Sequence, residues 1–212
     1  MTTPQNGLLF HFTHINNLPS IIAHGLKSDS AVRETGALEV EIGEDRIKEA
    51  RRSRPVPVPP HGVVADYVPF YFAARSPMLY TIQRGNVASY KDGQDSIVYL
   101  VTDIRTIVEA DCVAVFTDRN AYYSYATFEA DARRAYDEVD WPLMKAHMWN
   151  NTNDEPDRKE RRMAEMLVHD AVPFPLIGAI ATRSQAMLQR VRHLLASVEH
   201  QPKLDVRPDW YF

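Results

Sequence analysis

A single cysteine, Cys112, stands among the 212 residues. That excludes an intramolecular disulfide framework and any metal site built on several thiolates. No apolar stretch approaches the ~20 residues needed to cross a bilayer. The start, MTTPQNGLLF, lacks a basic region followed by a long apolar run, so no secretory signal is expected. The expectation is a soluble cytoplasmic protein with no membrane partner. Positive charge is not in excess, because 24 Lys+Arg face 28 Asp+Glu and the formal charge is -4. This argues against sequence-blind binding to duplex nucleic acid over the whole surface, while leaving room for a local basic groove. There is no internal repeat and no low-complexity segment. The phosphate-cradling patterns GxGxxG and GxxxxGK[ST] are missing, as are the GxSxG elbow and HExxH. The eight histidines form no close pair at zinc-ligand helical spacing. The ordinary kinase, dehydrogenase, serine-hydrolase and zinc-protease signatures therefore fail, and no metal is expected.

What is present is ordinary globular composition, with 45% apolar and 25% charged residues. The length fits one domain over residues 1–212. GLLFHFTH (7–14) alternates as a strand, with Phe10 and Phe12 on one face and His11 and Thr13 on the other. A short helix follows, with Asn17 as N-cap, Pro19 in its first turn and Gly25 after its end. GEDRIKEARR (43–52) reads as a helix with acids early and bases late. SRPVPVPP (53–60) carries four prolines and must be extended. YVPFYFA (67–73), SIVYLVT (96–102), CVAVFT (112–117) and LIGAIAT (176–182) read as strands. Ser76-Pro77 opens a helix that stops at Gly85, and DIRTIVEA lies between the second and third of those strands. RRMAEMLVH (161–169) fits helix or strand, and SQAMLQRVRHLLASV (184–198) is an amphipathic helix with Leu188, Val191 and Leu195 on one face. Helices and strands intersperse without strict alternation, which favours α+β over a doubly wound parallel sheet. Residues 118–160 are polar and aromatic with a charged end, a mixture that marks a functional or mobile segment.

Several groups are candidates for chemistry, each with an ordinary alternative. His11, Thr13 and His14 cluster at a strand end and could hydrogen-bond a ribose or an amide, or simply satisfy one another. Arg51, Arg52 and Arg54 precede the proline run, where a guanidinium could clamp an anion or merely complement a helix dipole. Tyr71 could stack on a flat ring or sit in the core. Glu165 lies inside an apolar run, where a carboxylate is expensive to bury without partners, so it is the strongest acidic candidate; the alternative is an exposed helix stripe. Trp141, His147, Trp149 and the tyrosines at 122, 123 and 125 interleave with Arg and Lys, as in single-strand binding sites, though acids dilute that charge and a helical hairpin explains the pattern equally. Cys112 lies in an apolar strand and is expected to be inert.

Taken together, FHFTHINNLPSIIAHGL, IKEARRSRPVPVPP, DYVPFYFAARSPMLY, VFTDRNA and DRKERRMAEMLVH, in this order, resemble the DarT family of DNA ADP-ribosyltransferase toxins from about residue 8 to 209. The details are closer to the thymine-modifying branch than to the guanine-modifying one. The resemblance implies an ADP-ribosyltransferase fold with a split, mainly antiparallel sheet around an NAD+ cleft. It implies transfer of ADP-ribose from NAD+ to thymine in single-stranded DNA, and a separate macrodomain antitoxin as partner. Carried over by motif, Glu165 and Arg51 are catalytic. His11, Thr13, His14, Arg51 and Tyr71 face NAD+. Arg54, Tyr71, Met78, Asn120 and Trp149 face the DNA. Asn120 stands where some relatives carry a His, so no imidazole role is implied there. The NAD+-covering element is expected at about 35–53 and the substrate-recognising loop at about 120–165. Two other readings remain at this point: an NAD+-dependent RNA 2′-phosphotransferase, and a non-catalytic single-strand binding module on the same fold.

Overall fold

The computed structural model describes residues 7–36 and 38–212. Strand β1 (Leu8–His14) passes through a 3-10 turn (Ile15–Asn17) into α1 (Leu18–His24). Then come β2 (Leu26–Lys27), α2 (Asp29–Thr35), α3 (Asp45–Ser53), β3 (Tyr67–Tyr71) and α4 (Pro77–Gln83). The middle of the chain forms β4 (Ile97–Asp103), α5 (Ile104–Glu109), β5 (Ala114–Thr117) and β6 (Phe128–Glu129). Three short helices follow, α6 (Ala135–Glu138), α7 (Trp141–Lys145) and α8 (Arg158–Arg161). The chain then forms β7 (Glu165–His169), β8 (Ala171–Val172), β9 (Ala179–Thr182), α9 (Gln185–Leu195) and β10 (Lys203–Val206).

The main sheet has eight strands in the order β10-β9-β4-β1-β3-β7-β5-β6, antiparallel except for the β9–β10 pair. This is the expected α+β class. Strand β4 sits near its middle, with Val98 and Leu100 in the core on one face and Ile97, Tyr99 and Val101 in the core on the other. A strand covered on both faces has no polar positions to show, which is why SIVYLVT reads as a continuous apolar run. Helix α9 closes one face with Leu188, Val191 and Leu195 buried as its periodicity requires. Ser184 caps it, accepting from the Met187 N–H. The chain turns from α1 to β2 at Gly25 (φ 81°), where a Cβ would meet the Val172 carbonyl oxygen at 2.9 Å.

The sheet is split between β1 and β3. All seven residues of β1 pair with β4, but β1 and β3 share only Phe10↔Tyr71. Beyond that pair, the Pro69 carbonyl accepts from His11 Nδ1 at 2.8 Å. In an extended strand the N–H and C=O of one residue face the same edge. The donor that proline lacks is therefore the one that would have faced β1. A side chain replaces the ladder, and the two half-sheets separate.

Three expectations needed correction. Asn17 does stand at the N-cap position of α1, but its backbone is already helical (φ -78°, ψ -16°) and its side chain makes no cap bond. RRMAEMLVH is neither one helix nor one strand: α8 ends at Arg161 and β7 begins at Glu165. Cys112 lies just before β5 rather than within it; it is half-buried, and burial pushes its thiol up.

Candidate active site in the split of the sheet

A cleft of about 410 Å³ occupies the split, within the ~300–1,000 Å³ usual for small-molecule sites. Both faces of β1 contribute, through Phe10 and Phe12 on one side and His11 and Thr13 on the other. The opposite wall comes from residues 38–51, including Val40, Ile42, Ile47 and Arg51, and coincides with the element expected at about 35–53.

That wall is held by Asn17. Its amide is 2% exposed and fully used. Nδ2 donates to Thr13 Oγ1 (3.0 Å) and the Val40 carbonyl (2.9 Å), while Oδ1 accepts from the N–H groups of Glu39 (3.0 Å) and Val40 (2.9 Å). One buried side chain thus ties the end of β1 to the covering segment. Helix α3 is anchored separately. Glu44 caps it, accepting from the Ile47 N–H at 2.9 Å. Lys48 (2.6 Å) and Arg52 (2.8 Å) pair with Asp29 on α2, and Lys48 also pairs with Glu41. Burial pushes the Asp29 carboxyl up, but its hydrogen bonds from Arg52 and Lys48 win and hold it below the usual carboxylate range.

At the floor, Glu165 opens β7 in register with Tyr71 of β3 and Thr117 of β5. It is 1% exposed. Arg51 Nη1 lies 3.0 Å from each of its carboxylate oxygens, and Oε2 also accepts from the Ala121 N–H at 2.9 Å. Adjacent helical residues diverge by about 100°, so Arg52 turns to Asp29 while Arg51 reaches the carboxylate. Arg51 Nη2 is buried with no partner among the described residues, which leaves a charged donor available beside the carboxylate. Asn120 Oδ1 accepts from Arg51 Nη1 (3.4 Å) and from the Tyr122 N–H (3.0 Å), fixing the 120–122 turn over the pair. The Tyr71 ring stacks on Phe12 at 6.2 Å between centroids, and burial, with the Glu165 charge, raises its phenol. His11 is the reverse case: burial lowers its imidazole, partly offset by the bond to the Pro69 carbonyl.

The structure therefore brings together His11, Thr13, Arg51, Tyr71, Met78, Asn120 and Glu165 around one cleft. His14 does not line it. Its Nδ1 accepts from the Asn16 N–H (3.2 Å), and the ring meets Tyr90 edge-on. Arg54 also lies outside the lining, donating to the Ser124 carbonyl at 2.9 Å. Trp149 borders a different cavity. Sequence reasoning missed the Asn17 clamp and the stack of Phe12 on Tyr71. The register of Phe10 with Tyr71 was the only signal for the stack, and it is a tertiary one. Among the described residues, no cluster of His, Cys, Asp and Glu could hold a metal ion, and no helix is long and apolar enough to cross a membrane.

A cleft of this size, with stacked aromatic rings on one side and a buried carboxylate paired to an arginine at its floor, fits a ligand carrying both flat rings and sugar hydroxyls. Comparison with known proteins agrees. The family described as "ssDNA thymidine ADP-ribosyltransferase, DarT" matches residues 10–212. A "DNA ADP-ribosyl transferase" of Mycobacterium tuberculosis is 37% identical over 213 aligned residues, covering 99% of this chain and 90% of the relative. The structure of Thermus sp. 2.9 DarT in complex with ADP-ribosylated ssDNA superposes with a TM-score of 0.91 at 35% identity, covering 100% of this chain and 99% of that one. The same protein in complex with NAD+ gives 0.87 at 34% identity, with both chains covered completely. The chain described here belongs to the DarT family.

Proposed function

We propose that this protein breaks the bond between nicotinamide and ribose in NAD+ and transfers ADP-ribose to thymine in single-stranded DNA. The observation that carries the reading is Glu165. It is a buried carboxylate at the floor of an open cleft, held by Arg51 and the Ala121 amide. As nicotinamide leaves with the bonding electron pair, positive charge develops on the ribose. A fixed carboxylate in a water-poor site stabilises that charge, usually the largest single catalytic contribution. The Thr13 hydroxyl, accepting from Asn17, keeps its own proton for a ligand oxygen. Thymine attacks through N3, whose proton passes to water at the open mouth of the cleft as the new bond to the anomeric carbon forms. A guanidinium is a permanent cation and a poor base. Arg51 therefore acts by stabilising the developing base anion, and its unpartnered Nη2 supports that role. His11 and Tyr71 position NAD+, while Tyr71, Met78 and Asn120 border the base. The whole chain, 1–212, acts as one catalytic unit in the cytoplasm. Unrestrained modification of DNA is toxic, and the partner that restrains it is a separate macrodomain chain that removes ADP-ribose.

Mass spectrometry of a short thymine-containing oligonucleotide after incubation with NAD+ tests the proposal. One ADP-ribose is expected on that strand and none on a thymine-free control. Equal labelling of the control, or no labelling of either, refutes it.

A further inference from the structure

Residues 208–212 play no part in the reaction described above, yet they are pinned to the fold at both main-chain and side-chain atoms. Pro208–Trp210 form a 3-10 turn after β10. The Tyr211 phenol, 4% exposed, then donates to the Ile97 carbonyl (3.0 Å) where β4 begins. The Phe212 N–H donates to Gln94 Oε1 (3.0 Å), and Arg183 Nη2 donates to the Phe212 main-chain oxygen (3.3 Å). Gln94 is itself buried, and its Nε2 donates to Gln83 Oε1 (2.9 Å) at the end of α4.

The rings of this strap reach two elements that line the NAD+ cleft. Trp210 has Arg207 over its ring at 4.3 Å and meets Phe10 of β1 edge-on at 5.1 Å. Phe212 holds the Arg75 guanidinium over its ring at 4.3 Å and meets Tyr80 at 5.1 Å. Arg75 precedes α4 and Tyr80 lies within it. The strap thus grips α4 before its start, in its middle and, through Gln94, at its end. A helix of seven residues has little stability of its own, so contacts of this kind decide where it sits. Tyr211 begins an unbroken series of rings: it meets Tyr99 at 5.3 Å, Tyr99 meets Phe12 at 5.8 Å, and Phe12 stacks on Tyr71, the register partner of Glu165.

Strap and cleft are two sides of one apolar cluster. Phe10, Phe12, Val40, Ile42 and Met78 belong to it and line the cleft. Trp210, Tyr211 and Phe212 belong to it and do not. A close-packed interior passes a displacement on rather than absorbing it. We propose that the strap positions the wall of the NAD+ cleft, with Trp210 and Phe212 as positioning residues that fix β1 against α4 and so set the affinity for NAD+. The inference rests on that cleft being the one that holds NAD+.

The test compares Trp210→Ala and Phe212→Ala with Val191→Ala, a cavity variant on α9 in the other large apolar cluster. NAD+ affinity is read by titration calorimetry and Tm by scanning calorimetry. Both strap variants should weaken NAD+ binding about tenfold, the scale on which packed networks modulate a site they do not touch. Val191→Ala should lower Tm and leave NAD+ affinity unchanged. Trp210→Phe keeps a ring edge for Phe10 and should recover most of the loss. Under saturating NAD+, kcat and the KM for a thymine oligonucleotide should stay near wild type, because Glu165 is held by Arg51 and the Ala121 amide, outside the strap. Where an alanine variant does not fold, Trp210→Leu and Phe212→Leu take its place. Unchanged NAD+ affinity in both strap variants, or an equal loss in Val191→Ala, overturns the proposal and leaves the strap a purely structural clamp. A wild type that binds no NAD+ refutes the proposed function instead. The methyl signal of Met78 in a methionine-labelled NMR spectrum then decides the strap without any ligand: displacement in both strap variants and not in Val191→Ala upholds it, and an unmoved signal overturns it.

Discussion

Replacing Glu165 by Gln preserves the shape of the side chain and removes its charge. The carboxylate meets two donors, Arg51 Nη1 at 3.0 Å from both oxygens and the Ala121 N–H at 2.9 Å from Oε2. A carboxamide oxygen at the Oε2 position can still accept from both, but its NH2 at the Oε1 position then lies 3.0 Å from Arg51 Nη1, donor against donor. Hydrogen bonds to charged groups contribute ~1.5–3 kcal/mol each. Because the Arg51 side chain is 12% exposed and can relax into the cleft, the net loss is set at about 2 kcal/mol. For a chain of this size each kcal/mol moves Tm by roughly 2–4 °C, so a fall of about 4–8 °C is expected by calorimetry. The rate falls further. Removing one preorganised electrostatic group costs roughly 10²–10³ in kcat, read as ADP-ribose transferred to a thymine oligonucleotide under saturating NAD+. The double variant Arg51→Gln/Glu165→Gln should lose less stability than the sum of the single variants, because the two groups are in direct contact. A Glu165→Gln enzyme with kcat within tenfold of wild type would refute the assignment of the carboxylate to the developing ribose cation.

Two other perturbations bear on the architecture around the site. Asn17→Ala deletes four hydrogen bonds and should destabilise the protein by ~2–4 kcal/mol. It should also weaken NAD+ binding at least tenfold by titration calorimetry, since the covering segment loses its tie to Thr13; unaltered NAD+ affinity would show that the clamp is merely structural. Acid should destabilise the fold before the carboxylates titrate. Burial holds His11 and His14 below their ordinary value of 6.5. The unfolded chain therefore binds more protons in that window, and stability, complete above about 6.5, declines as pH falls through the folded values. Tm measured at about pH 7.5 and 5.5 should show the drop, and His11→Gln should reduce it; a Tm that holds or rises toward pH 5.5 contradicts the burial argument.

Much of the fold is legible where one physical constraint acts alone. Strand β1 alternates because its faces pack differently, and α9 shows its stripe because only one side meets the core. Strand β7 was ambiguous for the opposite reason. Lying between β3 and β5 with Met166, Leu167 and Val168 all buried, it has no polar period to separate it from a short helix. Strand β10 was unreadable because KLDV alternates over only four residues at the sheet edge with none of them buried, and α2 because none of its residues is buried. At the site, Glu165 stood out because its apolar flanks promised burial, and Arg51 lay among three equivalent arginines until helix geometry sent Arg52 to Asp29. His14 and Arg54 failed to reach the cleft for reasons of direction that spacing does not encode. Asn17 looked like a cap because capping and bridging call for the same side chain, and only the 22 and 23 residues separating it from Glu39 and Val40 distinguish the two.

The width of the cleft depends on an atom that position 69 never had. An ordinary amino acid there would carry an amide hydrogen toward β1, and the strands could zip one rung further, drawing the rims together over the place where a dinucleotide must enter. Proline forecloses that closure at the level of covalent structure, before any packing or charge is considered. The imidazole of His11 then works as a spacer bar, joining the two half-sheets while keeping them apart.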